Sequence, residues 1–254
     1  MTWWEAVLIV LAGVGASTIN TIVGSGTLIT FPTLLMLGVP PVTANMSNTV
    51  GLVAGGITGI AGYRRELVGS RRDLLRLAPM TLVGSVIGAL LLLVLDPAAF
   101  RAIVPVLILL GVVLVLAGPR ISAAVASHHP DDQPTWKMRL MQVGVLLAGI
   151  YGGYFGAAQG VLLMGIMSLL SPLPIQRLNG YKNVLGTVAN AVAAIVFIVV
   201  AGDRIDWRVA ALIAVGALIG GAIGSTVGRR LSPGLLRAII AVIGLVAVVK
   251  VLLG

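Results

Sequence analysis

The chain has no cysteine, and only 8 of its 254 residues are Asp or Glu. The first absence excludes disulfides and leaves the redox compartment unreadable. The second is more telling. Glu5, Glu66, Asp73, Asp96, Asp131, Asp132, Asp203 and Asp206 all read as loop or segment-end residues, and none sits in the middle of an apolar run. That argues against a carboxylate proton relay and against a cage for divalent cations, which take carboxylate oxygens. The two histidines, His128 and His129, are neighbours in a polar stretch without further ligands, the pattern of a solvated loop rather than a metal site. There is no GxxxxGK[ST] phosphate loop and no visible nucleophile–base arrangement. Neither an enzyme nor an ATP-driven pump is expected, and no cofactor or metal.

Charge as a whole is scarce too. Only 10% of residues are charged and 58% are hydrophobic, with a mean hydropathy of +1.09; a soluble domain is roughly 25% charged. The composition is that of an all-α, polytopic protein of the cell (inner or plasma) membrane, with the lipid bilayer as its main partner. The net charge of +9 lies mostly in short loops, where it reads as membrane orientation rather than nucleic-acid binding. The start, WWEAVLIVLAG, lacks a basic n-region and a clear cleavage site. It reads as a first membrane segment, not a signal peptide.

A bilayer core of about 30 Å takes apolar segments of about 18–25 residues. Clear candidates cover roughly 43–63, 74–95, 98–117, 183–201, 207–228 and 233–253. Two other regions, 5–37 and 138–173, are too long for one span and are interrupted. The first interruption is NTIVGSGTLITFP, Asn20–Pro32; the second is YGGYFGAAQG, Tyr151–Gly160. Glycine costs roughly 1 kcal/mol and proline about 3 in a helix interior. Lipid cannot satisfy the backbone groups that such a break frees, so it must be buried in protein or line a watery cavity. A short helix restarting after each break would aim free N–H groups, the positive end of its dipole, at that cavity.

The chain repeats itself. Pro97, Arg101 and Ile103 match Pro233, Arg237 and Ile239 at one offset, and Gly84 and Gly88 match Gly220 and Gly224 at the same one; Gly26, Pro40 and Asn45 match Gly160, Pro174 and Asn179 at an offset two residues shorter. Residues 1–117 and 137–254 therefore read as two copies of one membrane repeat, joined by a cytoplasmic linker at 118–136. The paired glycines read as helix-packing positions. Loop charges suggest that the copies are inverted. The loop at 63–76 holds Arg64, Arg65, Arg71, Arg72 and Arg76, whereas its counterpart near 202–208 is balanced; the next loop reverses this, with Arg229, Arg230 and Arg237 in the second copy. If 63–76 is cytoplasmic and each broken region returns to its starting side or crosses twice, only Arg101, Arg204, Arg208 and Lys250 of the 17 basic residues fall outside. Inverted repeats with discontinuous helices place a site near the midplane, where the breaks meet.

Polar side chains inside membrane segments mark candidate sites. In the first copy the candidates for substrate contact are Asn20, Gly24, Ser25, Gly26, Thr27, Asn45 and Asn48. In the second they are Gln159, Gly160, Asn179, Lys182, Asn183 and Asn190. Each Ser, Thr or Asn has an alternative as interhelical glue. Asn179, Lys182, Asn183, Thr187 and Asn190 recur at helical spacing and share one face. Lys182 has no acidic residue three or four positions away, so either it snorkels to the interface or it meets an anion.

The runs LLMLGVPPVTAN and GYRRELV in the first copy, and NGYKNVLGTVAN followed by GDRIDW in the second, resemble the TauE/SafE family of sulfite and sulfonate exporters, also grouped as 4-toluene sulfonate uptake permeases. The resemblance covers essentially the whole chain. It implies a secondary transporter of small sulfur-containing anions, such as sulfite or sulfoacetate, working by alternating access. Ser25 and Gln159 depart from the family's glycine-rich breaks, which points to altered substrate choice. A non-transporting membrane component of an assembly complex and an anion channel are the other readings that the residues leave open, as is a homodimer.

Overall fold

The computed structural model describes residues 1–126 and 135–227, with 238, 241–243, 245 and 246. Most of the 233–253 segment and all of the 229–237 arginine cluster therefore lie outside the described residues. Among the described residues the regular structure is all helix: α1 Trp3–Ile22, α2 Thr27–Met36, α3 Pro41–Gly62, α4 Arg71–Val94, α5 Pro97–Ala126, α6 Thr135–Tyr154, α7 Gln159–Leu170, α8 Ile175–Ala201 and α9 Trp207–Val227, with one 3-10 turn at Gly202–Arg204. Both long regions break as their glycines require, each into a helix of 20 residues and a shorter one, of 10 residues in α2 and 12 in α7. Among the described residues, α1, α4, the 97–117 part of α5, α8 and α9 are long and apolar enough to cross a bilayer. This is a multi-pass membrane protein.

Two boundaries and one span differ from the sequence pattern. Helix α8 starts at Ile175, just after Pro174, because a helix does not stop where its apolar run does; the polar turns QRLNGYKN continue it. Helix α5 runs past 117 to Ala126 for the same reason. Helix α3 is long enough to span but does not stand out by hydropathy. Its Asn45, Ser47, Asn48 and Thr49 dilute the apolar signal, and all four are buried inside the bundle.

Close glycine contacts fix the helix directions. Gly216, Gly220 and Gly224 of α9 sit against Val10, Val14 and Thr18 of α1 in rising order, so the two run parallel. Gly84 and Gly88 of α4 meet Leu146 and Ile150 of α6 in the same sense. A Cβ on Gly84, Gly88 or Gly220 would fall 2.0–2.3 Å from the facing carbonyl oxygen, so these small residues let the backbones touch. Gly55 and Gly59 of α3 face Ser17 and Thr21 of α1, again parallel. Since α1 and α3 start at the same end, α2 must return between them; Gly26 at its start indeed lies against Ala16 and Asn20 of α1. Helices α6 and α7 form the matching hairpin, with Gly152 against Gln159 and Gly144 against Ile166.

Helix α8 runs the other way from α3: Gly56 meets Thr187, Gly59 lies near Asn183, and Gly180 lies near Tyr63. The loop 63–70 and the starts of α4, α6 and α8 thus share one end of the bundle. The starts of α1, α3 and α9 and the 202–206 turn share the other. All four tryptophans, Trp3, Trp4, Trp136 and Trp207, are exposed at helix starts, two ends served, as the aromatic belts of a bilayer require. Labelling should follow these ends. Val68 and Asp203 are exposed, and there is no native cysteine. Val68→Cys is expected to react with an impermeant maleimide from the cytoplasmic side only, and Asp203→Cys from the opposite side only. Labelling of both from one side would contradict the fold.

Candidate functional site

The two breaks meet in the middle of the bundle. Gly24 follows α1 in a left-handed conformation (φ 91°), and its missing Cβ would lie 2.4 Å from Gly160 Cα. Only glycine adopts that conformation cheaply and allows that approach. The Gly160 N–H donates to the Gly24 carbonyl at 3.0 Å, tying one break to the other. The second break is held by the Tyr151 hydroxyl, which donates to Ala157 O at 2.6 Å. It contains Ala158 at φ 61°, a left-handed alanine of the kind found at strained functional sites. Phe31, Phe100, Tyr154 and Phe155 stack edge-on beside it, with centroids 5.1–6.2 Å apart.

Between the breaks lies a cavity of about 360 Å³ counting its open mouth, lined by Asn20, Gly24, Thr27, Leu52, Gly156, Gln159, Gly160, Lys182, Asn183, Gly186 and Asn190. The sequence-derived residues Asn20, Gly24, Thr27, Gln159, Gly160, Lys182, Asn183 and Asn190 are brought together here. Ser25, Gly26, Asn45, Asn48 and Asn179 do not line it. Gly26 packs against α1. Asn45 Nδ2 donates to Tyr154 O at 3.0 Å, capping the end of α6. Asn48 is held between Thr27 and Thr30, donating to the Thr27 hydroxyl and accepting from that of Thr30. The Asn179 carbonyl accepts from Asn183 Nδ2. Leu52, Gly156 and Gly186 were not foreseen; they supply shape rather than polarity, and their residue types carry no signal.

Lys182 is the only charged residue of this lining, and it is 2% exposed. It neither snorkels nor stands free. Its Nζ donates to Asn20 O at 3.2 Å and Thr21 O at 2.8 Å, so it caps the carbonyl end of α1 where the helix breaks, the end at which a cation is favoured. Asn183 Nδ2 adds a third bond, to Thr21 O at 3.2 Å. An ammonium has three N–H donors, and two are used. No carboxylate forms an ion pair with it among the described residues.

The helix N-termini are not equivalent. At α7 the N–H groups of Gln159, Gly160 and Val161 donate to Gly156, Gly24 and Ala158, so these are already occupied, contrary to the expectation that they stand free. At α2 the Gly26 N–H donates to Asn20 Oδ1 at 3.4 Å, while the N–H groups of Ser25 and Thr27 have no protein acceptor among the described residues. Gln159 is 4% exposed, and its side-chain nitrogen has no partner. A half-turn of that amide presents either oxygen or NH₂ to the cavity. The Ser25 hydroxyl is buried and unpartnered as well.

A bundle of apolar helices with two broken helical hairpins, and a polar cavity where their breaks touch, is the build of a membrane transporter. The chain belongs to the TauE/SafE family: the model described as "Sulfite exporter TauE/SafE" matches residues 9–251. It is 25% identical over 241 residues to a probable membrane transporter protein of Haemophilus influenzae, covering 94% of this chain and 91% of that one. It is 26% identical over 237 residues to the probable membrane transporter protein YfcA of Escherichia coli K12, covering 93% and 86%. A probable membrane transporter protein of a Sinorhizobium species is 25% identical over 239 residues, covering 93% and 88%. No solved structure matches.

Proposed function

We propose that this protein is a secondary transporter, an exporter in the inner membrane, for small sulfur oxyanions such as sulfite or a short-chain sulfonate like sulfoacetate. The observation that carries the anion is the lining of the cavity among the described residues: one lysine, no Asp or Glu, and otherwise asparagine, glutamine, threonine and glycine with the single apolar Leu52. An anion there would take the remaining Lys182 N–H, the Gln159 amide and the open N–H group at Thr27. Low-dielectric surroundings strengthen each of these contacts. The sulfur oxyacid comes from the family's description.

The two halves act as inverted repeats in this reading. Support comes from the antiparallel course of α3 and α8, which occupy matching places in the two halves, and from the reversed loop charges. Rocking of one half on the other would open the cavity to alternate sides while the breaks stay together.

A thermal-shift panel tests the proposal on purified protein in detergent. Sulfite, sulfoacetate and isethionate are expected to raise the melting temperature, with a size-matched neutral sulfone inert. At a hundred times Kd the stabilisation is about 2.7 kcal/mol. Equal response to the sulfone and the sulfonates would remove the anion site. Counterflow of labelled anion in proteoliposomes distinguishes a carrier, which shows it, from a pore, which does not.

A further inference from the structure

We propose that Lys182 carries the coupling proton, so that the anion and one proton bind and move together in the same direction; export then runs on the anion's own outward gradient, and an inward proton gradient drives uptake. The inference rests on the anion site proposed above and adds its coupling ion. The geometry is built for two protonation states. A neutral amine has two N–H groups and a lone pair; an ammonium has three N–H groups. Two carbonyls, Asn20 O and Thr21 O, hold Nζ at 3.2 and 2.8 Å. They take both N–H groups of the neutral amine and leave the ammonium with one N–H for the cavity that Lys182 lines. Protonated, Lys182 offers the anion a charge-assisted hydrogen bond. Neutral, it offers a lone pair, which repels the anion. Loading a proton and loading an anion therefore favour each other, and by reciprocity each promotes the other's binding equally.

Among the described residues of the elements packed around Lys182, nothing else takes this part; the loop 63–70, which meets Gly180 through Tyr63 and Leu67, carries Arg64 and Arg65, both exposed, and Glu66. Helix α3 has no titratable side chain, and neither has α7. The only one on α1 is Glu5, in its first turn at the far end of the helix. On α4, Asp73 accepts from the Tyr181 hydroxyl at 3.1 Å; its arginines, Arg71, Arg72 and Arg76, are exposed at the helix start. On α6, Lys137 and Arg139 lie at the start, Tyr151 is bonded to Ala157, and the Tyr154 hydroxyl is buried and unpartnered. Arg177 sits in the first turn of α8, and Asp203 and Arg204 beyond its other end. Lysine is suited to the role because its charge can be removed in a buried site; arginine's cannot.

The balance is simple: the proton adds to the Nζ lone pair from one side's water and leaves to the other side's water, with no bond broken in the anion. The test is calorimetry with isethionate, whose sulfonate stays ionised, in buffers of different ionisation enthalpy from about pH 6 up to the ordinary lysine pKa of about 10.4. Wild-type protein is expected to take up a fraction of a proton per anion, rising toward one as pH rises, with affinity falling toward tenfold per pH unit. Lys182→Arg keeps a fixed charge and should bind isethionate with no proton uptake and a flat pH profile. In proteoliposomes it should exchange anion but not accumulate it on a proton gradient. Binding without proton uptake by the wild type overturns the coupling and leaves the anion site standing. Absence of binding by isethionate, sulfite and sulfoacetate alike overturns both.

Discussion

Gly24→Ala is expected to cost about 2–5 kcal/mol of stability and to abolish anion binding, while Gly38→Ala and Gly69→Ala cost only about 1–2 kcal/mol and leave binding intact. All three glycines are left-handed, with φ of 91°, 81° and 78°, so alanine pays the same backbone penalty of about 1–2 kcal/mol at each. The difference is space. A Cβ at Gly38 or Gly69 meets nothing within 4 Å, whereas at Gly24 it falls 2.4 Å from Gly160 Cα and 2.8 Å from its carbonyl carbon. The neighbour is backbone and cannot rotate aside, so the breaks must part, adding about 1–3 kcal/mol of overpacking. Parting them also breaks the Gly160 N–H bond to the Gly24 carbonyl and moves two walls of the cavity. Thermal unfolding of the three variants in detergent, with anion binding on each, checks this. A Gly24→Ala protein as stable as Gly38→Ala would mean that the breaks are not in contact.

The same pair shows what a sequence reveals here. Gly24 and Gly160 were legible because glycine inside an apolar run is costly and its presence needs a reason. The polar residues around them were legible as a cluster for the same reason. Their individual jobs were not. Asn45 and Lys182 both read as substrate ligands, yet both close the carbonyl end of a broken helix, Asn45 on Tyr154 O of α6 and Lys182 on Asn20 O and Thr21 O of α1. Their acceptors are backbone atoms far away in the chain, and a carbonyl has no residue-type signature. The free N–H groups suffered likewise. The rule that a helix start exposes donors applies at α2, but at α7 a carbonyl from the other break answers Gly160. The parallel contact of α1 with α9 depends on glycine faces whose partners only the fold selects.

Lys182→Met is expected to weaken anion binding by at least about tenfold, roughly 1.4 kcal/mol, with little change in the stability of the ligand-free protein. The two outcomes have separate causes. In the empty site, methionine leaves Asn20 O without its partner, a cost of about 1–3 kcal/mol for a buried unsatisfied carbonyl; Thr21 O keeps Asn183 Nδ2 at 3.2 Å. Against that, an ammonium with no carboxylate partner no longer has to be held out of water, and apolar replacement of buried charge is commonly neutral or favourable. The stem survives, so packing against Gly160, whose absent Cβ would lie 3.1 Å from Lys182 Cδ, is kept. With anion present the balance changes sign. Lysine and anion each relieve the other's unpaired charge, and methionine relieves neither. Lys182→Arg should fall between them, since its charge persists while its planar fork replaces a compact ammonium between two carbonyls. Calorimetry with a sulfonate and a neutral sulfone measures the first effect, and thermal unfolding without ligand the second. Wild-type sulfonate affinity in a destabilised Lys182→Met protein would make Lys182 a cap for α1 and nothing more, leaving the anion to Gln159 and the open N–H group at Thr27.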